Sequence, residues 1–245
     1  MAVAWPMLAE LLLGFFVGLL GLWLAAGLSD TSAAAFALAN QVQVTFFLLF
    51  RIVSMGVSVV LTQNLGAGNR AGADQTARAA LGASTWLGLS VAVGVFFSAG
   101  LLLGLVNAPP DVLLLAQPYL QTLALALLLD AYNASLASVL RAHLRTRDVM
   151  VNILCMHALH LLACLPLMRG LGPIPAMGLV GFAVAMGASR AFGLGLNLLL
   201  WRWRLSLVPR ARDWWQVRWQ RLGPVLHIGL PGAAENVAYR VAMLV

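Results

Sequence analysis

Apolar residues fill this chain in long runs, broken at intervals by short polar or turn-forming stretches: LSDTS at 28–32, NLGAGNRAG at 64–72, NAPPD at 107–111, RTRD at 145–148 and RGLGPIPA at 169–176. The runs between them lie at roughly 3–27, 33–61, 79–106, 112–140, 149–168 and 177–200, with an incomplete seventh from about 223. Each complete run reaches the ~20 residues that a helix needs to cross a hydrocarbon core about 30 Å thick. None shows the period-two alternation of a membrane β-strand. Within lipid, only helices and closed barrels satisfy every backbone N–H and C=O. The pattern therefore predicts an all-α, polytopic membrane helix bundle of six complete transmembrane helices and a partial seventh.

Composition narrows the solvent. Hydrophobic residues make up 62% of the chain and charged residues 9%, against roughly 25% charged in a soluble domain; a water-soluble fold could not hide so much apolar surface. The 15 basic residues are all arginine. Eleven of them gather in or beside the connections after the second, fourth and sixth runs, whereas the connecting segments on the other side hold only Arg169. By the positive-inside rule the N-terminus and the stretch after the sixth run face the cytoplasm. The net charge of +7 then reports topology and contact with anionic membrane lipid, and no nucleic-acid partner is implied. The first run has no basic flank and is too long for the apolar part of a signal peptide. Cys155 and Cys164 share the fifth run, with nothing to indicate a disulfide or a metal site.

The stretch WRWRLSLVPRARDWWQVRWQR at 201–221 holds five of the eight tryptophans and six arginines. Such mixing suits a linker lying in the headgroup layer, rings at the interface and guanidinium groups on lipid phosphate. Beyond it, Pro231, Ala234 and Glu235 repeat Pro6, Ala9 and Glu10 at one offset of 225 residues. A proline followed four residues later by a glutamate inside an apolar run points to an internal repeat. The expected organisation is an N-terminal six-helix lobe at 1–200, a cytoplasmic interfacial linker at 201–221, and at 222–245 the first helix of a C-terminal lobe whose remainder is missing.

Four segments carry a resemblance. QNLGAG at 63–68, with Gln63, Gly66 and Gly68, resembles the signature at the end of the second helix in the multidrug and toxic compound extrusion (MATE) family of transporters. LRAHLRTRDVM at 140–150, with Arg141, is similar to that family's segment after helix four. PAMGLVGFAVA at 175–185 resembles its entry to helix six, and IGLPGAAE at 228–235, with Pro231, its opening of helix seven. The four come in the right order at the right spacing. The resemblance implies a twelve-helix transporter of two six-helix bundles in a bacterial inner membrane, opening a central cavity to each side in turn. It implies export of bulky organic, often cationic, drugs or metabolites in exchange for H+ or Na+, with no other cofactor. The chain departs from the family where Gly21 stands for a common Asp in helix one, Leu144 for a Gly after helix four and Met186 for a Thr in helix six. His157 or His160 stands near a usual Asn in helix five.

The chemistry must come from polar residues buried in the spans. Counted from the cytoplasmic ends at 1.5 Å per residue, Glu10, Arg51, Asp130, Arg190 and Glu235 fall in one layer, roughly 10 to 20 Å deep. Charges at such depth cost a few kcal/mol each and should face partners or water. Glu10 with Arg51 is the natural structural pair. Asp130, followed by Asn133, Ser135 and Ser138, is the acid expected to couple transport to a proton or cation, with Glu10 and Glu235 as further acids and Arg190 as a charge partner. Asn40 and Gln43 share a face of span two, and His157 and His160 a face of span five; each pair could line a cavity or bond across helices. Gly66 and Gly68 suit a tight turn. A lipid or polymer flippase of the same superfamily is the alternative function. An intramembrane enzyme lacks support, since no HExxH occurs and neither GAS triplet has a catalytic partner.

Overall fold

The computed structural model describes residues 4–171, 173 and 175–242, and of residues 4, 6, 7, 230 and 232–242 the backbone alone. The apolar runs are all helical: α1 (Ala4–Ala26), α2 (Asp30–Gly66), α3 (Arg70–Leu105), α4 (Pro110–Ala142), α5 (Thr146–Arg169) and α6 (Gly178–Leu205), followed by a short α7 (Ala211–Trp215) and α8 (Trp219–Ala242). No strand occurs among the described residues. Helices α1 to α6 are long and apolar enough to cross a membrane.

Helices α2 and α3 overrun the predicted spans. With 37 residues, α2 is about 55 Å long, far beyond the hydrocarbon thickness, so its end projects past the lipid. The stretch at 64–72 reads as a loop because it is polar and glycine-rich, but hydropathy marks where lipid ends, not where the helix ends. Only Ala67 to Asn69 leave the helical path. Gly68 takes φ +72, and the Asn69 side chain caps α3 by accepting the Gly72 N–H at 3.0 Å. Gln63 and Gly66 stay inside α2, so Gly68 alone makes the turn expected of both glycines. After α4, Leu144 adopts φ +60 while the Arg145 N–H bonds back to the Leu140 carbonyl at 2.9 Å, a helix stop usually built on glycine.

The bundle is organised around α4, which packs on α2, α3 and α6. Its Tyr119, Leu120, Leu123, Leu127, Leu136 and Leu140 are wholly buried, as befits the helix that three neighbours pack against. One core cluster, with Phe36, Tyr119 and Phe182, fills the end near Arg169. The other, with Leu61, Leu81, Leu140 and Trp201, fills the arginine-rich end. Alanines at the contacts (Ala35, Ala39, Ala116, Ala124) are buried completely, as expected where lipid supplies no hydrophobic drive and close backbone approach does. Helix α1 packs on α2 and α5 and leaves Leu12, Phe15 and Trp23 exposed, an outward face suited to lipid.

The 201–221 segment folds back on the bundle at its arginine-rich end. Trp201 is fully buried and donates to the Leu136 carbonyl at 3.1 Å. Trp214 meets Tyr132 edge-on at 5.0 Å, and Trp86 donates to the Trp215 carbonyl at 2.9 Å. Asp213 is the hub: Arg78 lies 2.8 Å from one carboxylate oxygen, Arg218 3.0 Å from the other, and the Arg210 N–H bonds to it at 2.9 Å. Burial opposes its charge, but the Arg210 amide and the two guanidinium groups hold the Asp213 carboxyl below the usual carboxylate range. Trp203, Trp215 and Trp219 point outwards. Helix α8 packs on α2, with Gly56 against the Val225 backbone and Gly229 against that of Ile52. Pro231 lies within α8. The Glu235 side chain lies outside the described residues.

Candidate functional site

Five helices, α1, α2, α4, α5 and α6, surround a cavity of about 670 Å³. Helix α2 gives it a wall: Asn40, Gln43, Phe47, Arg51, Ser54 and Ser58 all line it, at the three- and four-residue spacing that keeps side chains on one face. At the end near Arg169, Phe36 and Phe182 close it, packed edge to face at 5.2 Å. Gly21 lies against both rings; a Cβ there would come within 2.6 Å of Phe36 and 2.9 Å of Phe182. That leaves no room for the carboxylate which the resemblance expects, and the aromatic pair is the physical reason for the departure.

Of the candidate residues, Glu10, Asn40, Gln43, Arg51, Asp130, Asn133, His157 and Arg190 all line this one cavity. Asp130 is buried, 5% exposed, and its carboxylate lies 2.8 Å from Arg190 Nε. That N–H is not aimed at the oxygen and makes no hydrogen bond, so the contact is Coulombic; Nη1 of Arg190 reaches Met156 Sδ at 3.1 Å instead. Asn133 donates to the Arg190 carbonyl at 2.9 Å, and Asn197 donates to Asn133 Oδ1, also at 2.9 Å. Asn152 donates to the Gly193 carbonyl at 3.1 Å. These amides tie α4, α5 and α6 together directly beside the ion pair.

Glu10 does not pair with Arg51. Its carboxylate binds Arg141 at 2.6 Å, and Arg51 has no acidic partner among the described residues. Arg141 ends α4, about 16 Å along that helix from Asp130, so the charges form two levels rather than one layer. Counting residues from span ends gives depth along each helix but assumes that all ends are level and says nothing about which way a side chain faces. The polar string of α4 also divides: Asn133 and Ser138 line the cavity, whereas Ser135 turns to α3 and meets Ser84 at 2.6 Å.

The two histidines separate as well. His157 lines the cavity; His160 is 2% exposed, stands edge-on to Phe182 at 4.5 Å and makes no side-chain hydrogen bond among the described residues. Met156, Asn152 and Asn197 were missed by sequence reasoning. Asn197 follows Arg190 by two helical turns, a same-face spacing that could have found it. Among the described residues no cluster of His, Cys, Asp or Glu is arranged to hold a metal. Gln63, Gly66, Gly68 and Pro231 lie away from the cavity.

The MatE family model matches residues 6–165. The chain belongs to the MATE family. As a MATE protein with six apolar helices it is a multi-pass membrane protein of a transporter family. An uncharacterized transporter, YisQ, from Bacillus subtilis is 24% identical over 244 residues, covering 100% of this chain and 54% of that protein. Among solved structures, a MATE protein in the bent conformation superposes with a TM-score of 0.87 at 21% identity, covering 99% of this chain and 53% of the other. A MOP superfamily transporter from Pyrococcus furiosus, whose binding pocket is described as of reverse polarity, gives 0.86 at 22% identity, with coverage of 99% and 53%. The chain thus spans about half the length of the relatives it matches, and these likenesses show that it has the fold of a MATE half.

Proposed function

We propose that this lobe works as half of a secondary active antiporter, exporting bulky organic compounds in exchange for H+ or Na+ across a bacterial inner membrane. The arginine-rich end and the N-terminus face the cytoplasm in this reading, the linker contacts anionic lipid, and the partner is a second lobe that closes the other side of the cavity. The observation that carries it is the Asp130–Arg190 contact on the wall of a 670 Å³ cavity, large enough for a drug-sized molecule. A buried carboxylate held only by one guanidinium is a charge that an ion can take over. Binding of a proton or Na+ at Asp130 frees Arg190, and rocking of the two lobes carries the site to the opposite side.

The test is Asp130→Asn in the two-lobe protein, which keeps the shape and removes the titration. Ion-driven efflux from loaded cells is lost while membrane insertion, read by surface labelling, is unchanged. Full drug resistance in a strain expressing this variant removes Asp130 from coupling.

A further inference from the structure

We infer that the compound held in this cavity is an organic anion, bound through Arg51; this assigns a substrate class to the proposed transport site and rests on that reading. The cavity is lined by two acids, Glu10 and Asp130, and three arginines, Arg51, Arg141 and Arg190. Both acids are taken: Glu10 by Arg141 and Asp130 by Arg190. Arg51 is left over, so among the described residues this wall carries one uncompensated positive charge.

The hydrogen-bond inventory has the same sign. A guanidinium has five N–H donors and no acceptor. Arg51 makes no hydrogen bond among the described residues, and Nε of Arg141 and of Arg190 are buried without one. Buried acceptors without a hydrogen bond are Glu10 Oε1, whose charge Arg141 already matches, and the neutral amide oxygens of Asn152 and Asn197, while the Asp130 carboxylate meets Arg190 alone among the described residues. The guanidinium of Arg51 thus offers this wall a charge and donors that a carboxylate, sulfonate or phosphate with several oxygens satisfies and an ammonium cannot. The surroundings of Arg51 suit the rest of such a molecule. Phe47 lies one turn before it and Met55 one turn after, both lining the cavity, with Asn40 and Gln43 further along. A flat aromatic body can rest on Phe47 and Met55 while its acidic group reaches Arg51. A cationic drug would set its charge against Arg51 and find both acids already paired.

Two dyes sharing the xanthene core, anionic fluorescein and the cationic ester rhodamine 6G, separate charge from shape. Binding is followed by fluorescence anisotropy to the two-lobe protein in nanodiscs. Fluorescein binds at least about tenfold more tightly than rhodamine 6G, a difference of ~1.4 kcal/mol. Arg51→Gln removes that preference, and Arg51→Lys keeps most of it because the charge remains. Arg51 lines open space, so neither change removes a packing contact, and rhodamine binding to Arg51→Gln reports that the cavity is intact. Tighter binding of rhodamine 6G to the unaltered protein, or fluorescein binding indifferent to Arg51→Gln, overturns the assignment and leaves transport standing. Binding of neither dye, together with no ion-driven uptake of either into proteoliposomes, overturns the transport reading as well.

Discussion

Removing one member of the Asp130–Arg190 pair should cost far more than removing both. Asp130 is 5% exposed and the Arg190 side chain 16%; at 2.8 Å and an effective dielectric of about 20, their attraction is ~6 kcal/mol before desolvation is subtracted. Among the described residues, the only other side-chain contact of Arg190 in the hydrogen-bond range is the Met156 sulfur, a weak acceptor. Asp130→Leu therefore strands a buried cation, and Arg190→Met a buried carboxylate, each destabilising by roughly 3–5 kcal/mol. The double variant buries an apolar pair and should lose only about 1 kcal/mol, since replacing both members of a buried ion pair is often nearly neutral. Asn133 bonds to the Arg190 main chain, so that support survives every substitution. The assay is SDS-induced unfolding of the purified protein in micelles, followed by tryptophan fluorescence. If the double variant loses the sum of the two single losses, the residues are not coupled, and the pair is not what stabilises the centre of the cavity.

Two further outcomes concern the arginine-rich end. Leu144 holds a left-handed conformation, φ +60, with its side chain exposed, so Leu144→Gly should stabilise the lobe by about 1 kcal/mol, read as a higher SDS midpoint; no change would mean that the turn is unstrained. The folded carboxyl of Asp213 sits below its usual range, so its clamp on the linker is complete above the unfolded value of about 4 and is lost as the pH falls through the folded value. Pepsin should begin to cut at 207–217 only within that acid window, whereas Asp213→Asn exposes Arg210 and Arg212 to trypsin at neutral pH.

What was legible in the sequence follows from what lipid penalises. Span order, the turns at 28–32 and 107–111, and the gathering of arginine at one end are written in hydropathy, because the bilayer charges a few kcal/mol for each misplaced ion. Azimuth is not written there. Glu10 found Arg141 rather than Arg51 because the levels and rotations of helices are set by packing, for example the alanine contacts of α2 and α4 around Ala39 and Ala124. The linker shows the same limit: Trp203, Trp215 and Trp219 point outwards, but composition does not mark that Trp201 is interior or that Arg218 and Arg78 of α3 clamp Asp213. Asp213, the lone acid in that run of arginines, was the signal that could have been used. Asn152 and Asn197 were hidden because amides carry no charge to mark depth.

The Glu10–Arg141 contact also has a timetable. Its partners lie 131 residues apart, and at roughly 5–20 residues per second a ribosome needs about 7 to 26 s to travel between them. Throughout that interval α1 is a finished helix with an unanswered carboxylate, since the arginine that answers it ends α4. Its admission to the bilayer then rests on its apolar residues, from Leu8 and Leu11 through Phe15 and Phe16 to Leu24. Codons that slow elongation between the first and fourth helices would lengthen the wait, and a membrane chaperone or quality-control protease would meet its target there.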